Sequence, residues 1–247
     1  MNTWRLEIEY DGTRYYGWRI QHDSKTIQGE LVRVARDLFS AKLEIGAAEA
    51  TDPGAHAYRQ IAHLKVSELK EDVKPGQIME GFNELLPYDI NILKVQNTAD
   101  DFHAGHDAKA RQYLYKISRR RSAFSKNFVW WVKESLNTKK MQSAAKMLVG
   151  RHDFTSFGFS DEEAYPKKQE LSVKKAEIFE EDDLICFRIL ADEFLPKMVR
   201  VIVGKIAEVG CGNIADTAFE RILRFPSDTP RKFAAPAAGL FLEKVFY

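Results

Sequence analysis

A carboxylate, a phenol and a guanidinium stand on three well-separated stretches of this sequence. Asp52 lies in EATDPGAHA (49–57), Tyr113 in AKARQYLY (108–115) and Arg200 in FLPKMVRVIVG (194–204). An ionised carboxylate can act as a nucleophile or accept a proton. An arginine set among Met198, Val199, Val201, Ile202 and Val203 calls for a polar partner, because a buried charge without one is costly. A carboxylate from another segment would serve. Each residue also has a plainer reading. Asp52-Pro53-Gly54 is the pattern of a type II turn, in which Pro presets φ, Gly accepts φ > 0 and the Asp side chain caps a nearby N–H. Arg200 can equally be a surface charge on an amphipathic helix.

Other chemistries lack their residues. His103-x-x-His106 beside Asp107, and His56 and His63 seven apart, provide neither a Cys/His zinc set nor HExxH spacing, so no metal is expected. No glycine-rich phosphate cradle follows a strand, no GxSxG elbow positions a serine, and no cofactor is expected.

The 247 residues carry a net charge of +1 and are 45% hydrophobic and 30% charged, the profile of a globular protein of one large or two smaller domains. That charge leaves no overall nucleic-acid footprint, so RNA contact would rest on local clusters: Arg119-Arg120-Arg121, Lys167-Lys168 and Lys174-Lys175. No apolar run approaches the roughly 18 residues of a membrane span. The opening MNTWRLEIEYDG lacks the layout of a signal peptide, and Cys186 and Cys211 read as two buried thiols, so a cytoplasmic protein is expected.

The elements that must position these groups follow from periodicity. Trp4, Leu6, Ile8 and Tyr10 alternate with Arg5, Glu7 and Glu9, which predicts a strand with one covered face. Thr26 is a predicted N-cap for a helix with an apolar stripe at Leu31, Val34, Ala35 and Leu38. Strands are predicted over 60–66, 90–95, 112–117 and 240–246, and a helix over 76–86 that stops before Pro87. Arg111, Tyr113 and Tyr115 then share one strand face. Asn137 caps a predicted helix closed by Gly150, residues 171–178 and 184–190 form a hairpin, and 195–209 is a helix ending at Gly210-Cys211-Gly212. The pattern is α+β: two related halves, 1–108 and 109–247, around a mixed, largely antiparallel sheet flanked by helices.

The segments YDGTRYYGW, TIQGEL, TDPGAHA, FHA, AKARQYLY, GRHDFTSF, FLPKMVRVIVG with VGCG, and AAPAAGLFLEKVFY, in this order, resemble the tRNA pseudouridine synthase A family nearly end to end. The resemblance implies the pseudouridine synthase fold, a homodimer, no cofactor, and isomerisation of uridine in the anticodon stem-loop of tRNA. It places the catalytic carboxylate at Asp52, its arginine partner at Arg200 and the base-packing ring at Tyr113; Arg111, His56 and Lys197 are expected at the substrate. Breaking the C1′–N1 bond, turning the uracil and joining C5 to C1′ needs no cofactor. Nucleophilic attack by Asp52 and deprotonation of the sugar are alternative routes, and both need an ionised carboxylate, a state that a guanidinium beside it favours. The target nucleotide must leave its stack, which calls for an aromatic ring and cations around it.

The sequence departs from the family pattern at Ala50 and Gly105, where arginines are expected, at Pro196-Lys197 in place of Tyr-His, and at Pro53. Charge-assisted bonds to phosphate contribute roughly 1.5–3 kcal/mol each, so two missing arginines weaken RNA binding unless other cations take over. An active enzyme on a different RNA, and a non-catalytic RNA-binding protein of the same fold, are the alternative readings.

Overall fold

The computed structural model describes residues 2–67, 69, 73–158, 169–225 and 233–247; the Lys167-Lys168 cluster lies outside them. The chain forms two compact units, Met1–Lys109 with Leu242–Tyr247, and Ala110–Phe241. This differs from a cut after residue 108 chiefly at the C-terminus, where the end of the last strand returns to the first unit.

In the first unit the central strands are β1 (Asn2–Tyr10) and β3 (His56–Val66), paired antiparallel with Leu6 opposite Ala62. Trp4, Leu6, Ile8 and Tyr10 are buried, as their alternation predicts. The outer neighbour of β1 is β4 (Ile90–Asn97), antiparallel. On its other side β3 pairs with β2 (Leu43–Ala47), also antiparallel, and with the C-terminal strand β10 (Leu240–Phe246). Helix α1 (Ile27–Phe39) begins at Thr26, whose side chain accepts from Gly29 N, and buries Ile27, Leu31, Val34 and Ala35. It packs on β2 and on α2 (Pro75–Leu85), which covers β4. β3 starts at His56, four residues before the predicted start, and β2 was missed although Leu43, Ile45 and Ala47 alternate with Glu44 and Gly46.

In the second unit the strand order is β5 (Ala110–Ser118), β9 (Leu184–Ala191), β8 (Glu170–Glu181) and β7 (Gly150–Asp153). These pair antiparallel, while the two-residue β6 (Trp130–Trp131) runs parallel to β5. Helix α3 (Thr138–Met147), capped by the Asn137 side chain, packs on β8 and on α4 (Met198–Cys211). A further helix, α5 (Asp216–Arg224), absent from the sequence reading, closes against α3 and β7 through Phe219 and Leu223. α4 starts at Met198 rather than 195. Pro196 pushes Leu195 out of helical geometry, and Lys197 turns left-handed at φ 60° just before the first helical residue. Cys186 is buried as expected, whereas Cys211, last in α4, is only half-buried; neither forms a disulfide. Among the described residues no helix is long and apolar enough to cross a membrane.

Candidate active site

Asp52 opens a β-turn closed by a hydrogen bond from Ala55 N to Asp52 O (3.0 Å), and Gly54 takes φ 78°, the conformation that the third position of a type II turn demands. The N-terminal segment after β1 holds this turn in place. Trp18 N donates to Thr51 O (3.1 Å), and Gly54 N donates to Tyr15 O (3.1 Å). The backbones touch because two residues carry no Cβ. A Cβ on Gly12 would overlap Ala55 O. One on Gly17, which has φ 82°, would lie 2.6 Å from Thr51 O and 3.2 Å from the carbonyl carbon of Asp52. Beneath the turn, the buried Tyr10 hydroxyl and Thr51 Oγ1 share a hydrogen bond of 2.7 Å, and Gln60 Nε2 donates to Glu49 O (2.7 Å). Burial raises the Tyr10 phenol well above its ordinary value against the hydrogen bonds of Thr51 and Gln60, so it stays neutral. Thr51 is buried and Asp52 half-buried, so the turn is fixed from below.

His56, expected at the substrate, is 1% exposed, and its Nδ1 accepts from Gly12 N (3.1 Å). In this unit it therefore ties the 3₁₀ turn Gly12–Arg14 to the start of β3. The same turn is anchored by Asp89, which accepts from the Tyr15 hydroxyl (2.5 Å) and from Arg14 Nε (3.0 Å). Burial raises the Asp89 carboxyl, but the hydrogen bonds of Tyr15 and Arg14 outweigh it and leave the group below its usual value.

The tertiary structure also gathers Glu44, His63 and His103, whose potential ligand atoms lie within 4.8 Å of one another. The sequence had paired other histidines. Here the ring nitrogens are engaged with backbone: His63 Nδ1 accepts from Ala104 N (3.1 Å), and His103 Nδ1 accepts from Gly105 N (3.2 Å) and His106 N (3.1 Å). In the neutral rings the proton then sits on Nε2, and His63 Nε2 faces Glu44 Oε1 at 3.3 Å. Burial lowers the His63 pKa, which favours that neutral form. A cation would have to displace these bonds, and the residues are better explained as the scaffold of the 103–107 loop.

In the second unit β5 presents Arg111, Tyr113 and Tyr115 on one face, all buried. Arg111 Nη1 donates to Asp192 O (2.6 Å), and Tyr113 meets Phe194 edge to face at 5.1 Å. Tyr113 is 5% exposed. Tyr115 donates to Pro236 O (2.7 Å); burial raises its phenol, with the charge of Arg200 opposing. Arg200 is half-buried on α4 amid Met198, Val199, Val201, Ile202 and Val203, and its Nε donates to Ala235 O (2.7 Å). Ala235 N in turn donates to Arg200 O (3.0 Å). The 234–239 segment thus holds both Arg200 and Tyr115. Lys197 keeps a left-handed backbone that costs on the order of 1–3 kcal/mol in a non-glycine residue.

The sequence reading missed the supporting residues Tyr10, Gly12, Gly17, Thr51 and Asp89. For Tyr10, Gly12 and Gly17 the signal was the density of Gly and Tyr in YDGTRYYGW, which suits close backbone approach and buried phenols.

The α+β architecture, a mixed, largely antiparallel set of strands flanked by helices, is that of the pseudouridine synthases. A family model described as tRNA pseudouridine synthase matches residues 144–247. The chain is 37% identical over 248 residues to tRNA pseudouridine synthase A 2 of Bacillus anthracis, covering 99% of both. It is 35% identical over 243 residues to tRNA pseudouridine synthase A of Borrelia hermsii (98% and 97% covered), and 34% identical over 249 residues to that of Acetivibrio thermocellus (100% of both). The chain belongs to the tRNA pseudouridine synthase A family and is an isomerase by that membership.

Gly17→Ala places a Cβ against Thr51 O in a backbone that side chains disfavour, and is expected to lower the denaturant midpoint and the turnover together. A variant matching the parent in both would remove Gly17 from the support of Asp52. Because the folded Asp89 carboxyl lies below its ordinary value, its contribution to stability is complete above about pH 4 and lost as pH falls through the folded value. The stability difference between parent and Asp89→Asn, followed by urea denaturation, should therefore shrink steadily below about pH 4; a difference constant with pH would contradict the assignment.

Proposed function

We propose that this chain converts uridine to pseudouridine in the anticodon stem-loop of tRNA, with Asp52 as the reacting carboxylate. The observation that supports it most is the pinned turn, whose backbone is fixed by Tyr15, Trp18 and Gly17 while Asp52 itself stays half-exposed. A reacting group held by packed neighbours loses little orientation before the reaction. In this reading Arg200 is the cationic partner that keeps the carboxylate ionised, and Tyr113 receives the turned base. Lys197, at the strained entry to α4, offers a cation to phosphate. Arg111 and His56 act by positioning: Arg111 through Asp192 O, and His56 through Gly12 N. Family resemblance adds a homodimer working in the cytoplasm.

A different RNA substrate is the second reading, favoured by Ala50 and Gly105. Both lie in loops of the first unit, and a Cβ on Gly105 would sit 3.2 Å from Ala47 O, so a larger residue there needs a small shift of its neighbour.

Asp52→Asn should abolish tritium release from [5-3H]uridine-labelled tRNA with affinity for tRNA held within about twofold, and Arg200→Ala should slow release by roughly a hundredfold, the usual effect of removing one electrostatic partner from a reacting centre. Parent-like turnover by Asp52→Asn would refute the assignment. The double variant Ala50→Arg, Gly105→Arg should raise kcat/KM on tRNA by about tenfold, corresponding to one recovered phosphate contact. No gain would point to the other RNA.

A further inference from the structure

The segment that clamps the Asp52 turn has a second face. Its backbone is fixed on all sides. Tyr16 N donates to Lys25 O (2.8 Å), Gln21 Nε2 to Tyr16 O (3.0 Å), Ile27 N to Gly17 O (3.1 Å) and Gln28 N to Trp18 O (3.0 Å). Gln28 Oε1 accepts from Ile20 N (3.0 Å), and its Nε2 donates to Ile45 O (2.7 Å). The inward residues Tyr15, Gly17 and Trp18 are buried. The outward ones are not: Tyr16 is 61% exposed, Ile20 is 55% exposed, and Arg19 is exposed.

Among the described residues the side chains of Tyr16 and Arg19 have neither a hydrogen-bond nor an ion-pair partner, whereas Arg14 is paired with Asp89 and Lys25 lies 3.7 Å from Glu30. A phenol ring, an uncompensated guanidinium and an aliphatic side chain thus stand on a rigid backbone whose next residue, Gly17, is packed against Asp52 itself. Folding gains nothing evident from leaving an aromatic ring and an isoleucine in water. A single-stranded nucleic acid supplies what this set lacks: base faces to stack on Tyr16, and phosphate for Arg19.

We infer that Tyr16, Arg19 and Ile20 form an RNA-docking rim that holds a nucleotide flanking the target uridine, Tyr16 by stacking and Arg19 by a phosphate contact. The inference rests on the reading of Asp52 as the reacting carboxylate of an RNA-modifying enzyme. The rim is fixed to the same turn, so a nucleotide seated on it is in register with the carboxylate without any movement of the protein. Ile20 covers the stacked base from water and adds little direction of its own.

The test uses the full chain and unmodified transcribed tRNA, with filter binding at several salt concentrations beside tritium release from [5-3H]uridine. Tyr16→Ala should weaken binding about tenfold and raise KM in proportion, while Tyr16→Phe, which keeps the ring, should recover most of the affinity. Arg19→Ala should reduce the slope of log affinity against log salt by roughly 0.7, one phosphate of a single strand. Parent-like affinity in Tyr16→Ala would overturn the inference. So would a fall in kcat with affinity intact, because that outcome marks a disturbance of the Asp52 turn alone. Binding is repeated in the Asp52→Asn background. Loss of affinity there on adding Tyr16→Ala supports the rim even if the parent releases no tritium, a result that would sink the reading of Asp52 and not that of Tyr16.

Discussion

Direct contact between two stretches of backbone governs the first unit. Where Gly12 and Gly17 pass the Asp52 turn there is no room for a Cβ at either, and the two stretches exchange hydrogen bonds at Trp18–Thr51 and Gly54–Tyr15. Packing at this distance removes the slack that a side-chain-mediated contact would leave. A loop residue thereby becomes as fixed as one on a strand. The surrounding phenols serve the same end. Tyr10 closes on Thr51 from below, and Tyr15 is anchored by Asp89, so each side of the turn ends in a neutral, hydrogen-bonded ring.

The second unit solves a different problem, which is how to keep a guanidinium in an apolar helix. Arg200 is held through the carbonyl of Ala235, and the 234–239 segment that supplies it also takes the hydrogen bond of Tyr115. Its neighbour on β5, Arg111, spends a donor on Asp192 O, whose side chain caps the backbone of Ser172 and Glu193. Charges that looked interchangeable in the sequence therefore differ in which loop each one holds. The same holds for the histidines: His56, His63 and His103 each accept a backbone N–H group at Nδ1 and so hold loops in place.

Much of the fold was legible. The alternation from Trp4 to Tyr10, the Thr26 and Asn137 caps and the hairpin of β8 and β9 carry their period and their punctuation in a few adjacent residues. The short strands β6 and β7 were not, since Trp-Trp and Gly-Arg-His-Asp display no alternation, and β2 was missed although its five residues alternate. Helix α5 was missed although its apolar face follows the helical repeat. The start of α4 was displaced because a left-handed Lys197 leaves no mark in composition.

The sequence by itself determined the turn that carries Asp52, the strand that aligns Arg111, Tyr113 and Tyr115, and the apolar helix around Arg200, because each depends on residues close together in the chain. Only the tertiary structure decided what those groups touch. That Gly17 lies against the Asp52 carbonyl, that His56 faces inward to Gly12, and that Tyr16 is left in water are consequences of contacts between residues 35 to 45 positions apart, or of their absence. Such contacts are set by packing and hydrogen-bond satisfaction across elements, and no local pattern encodes them.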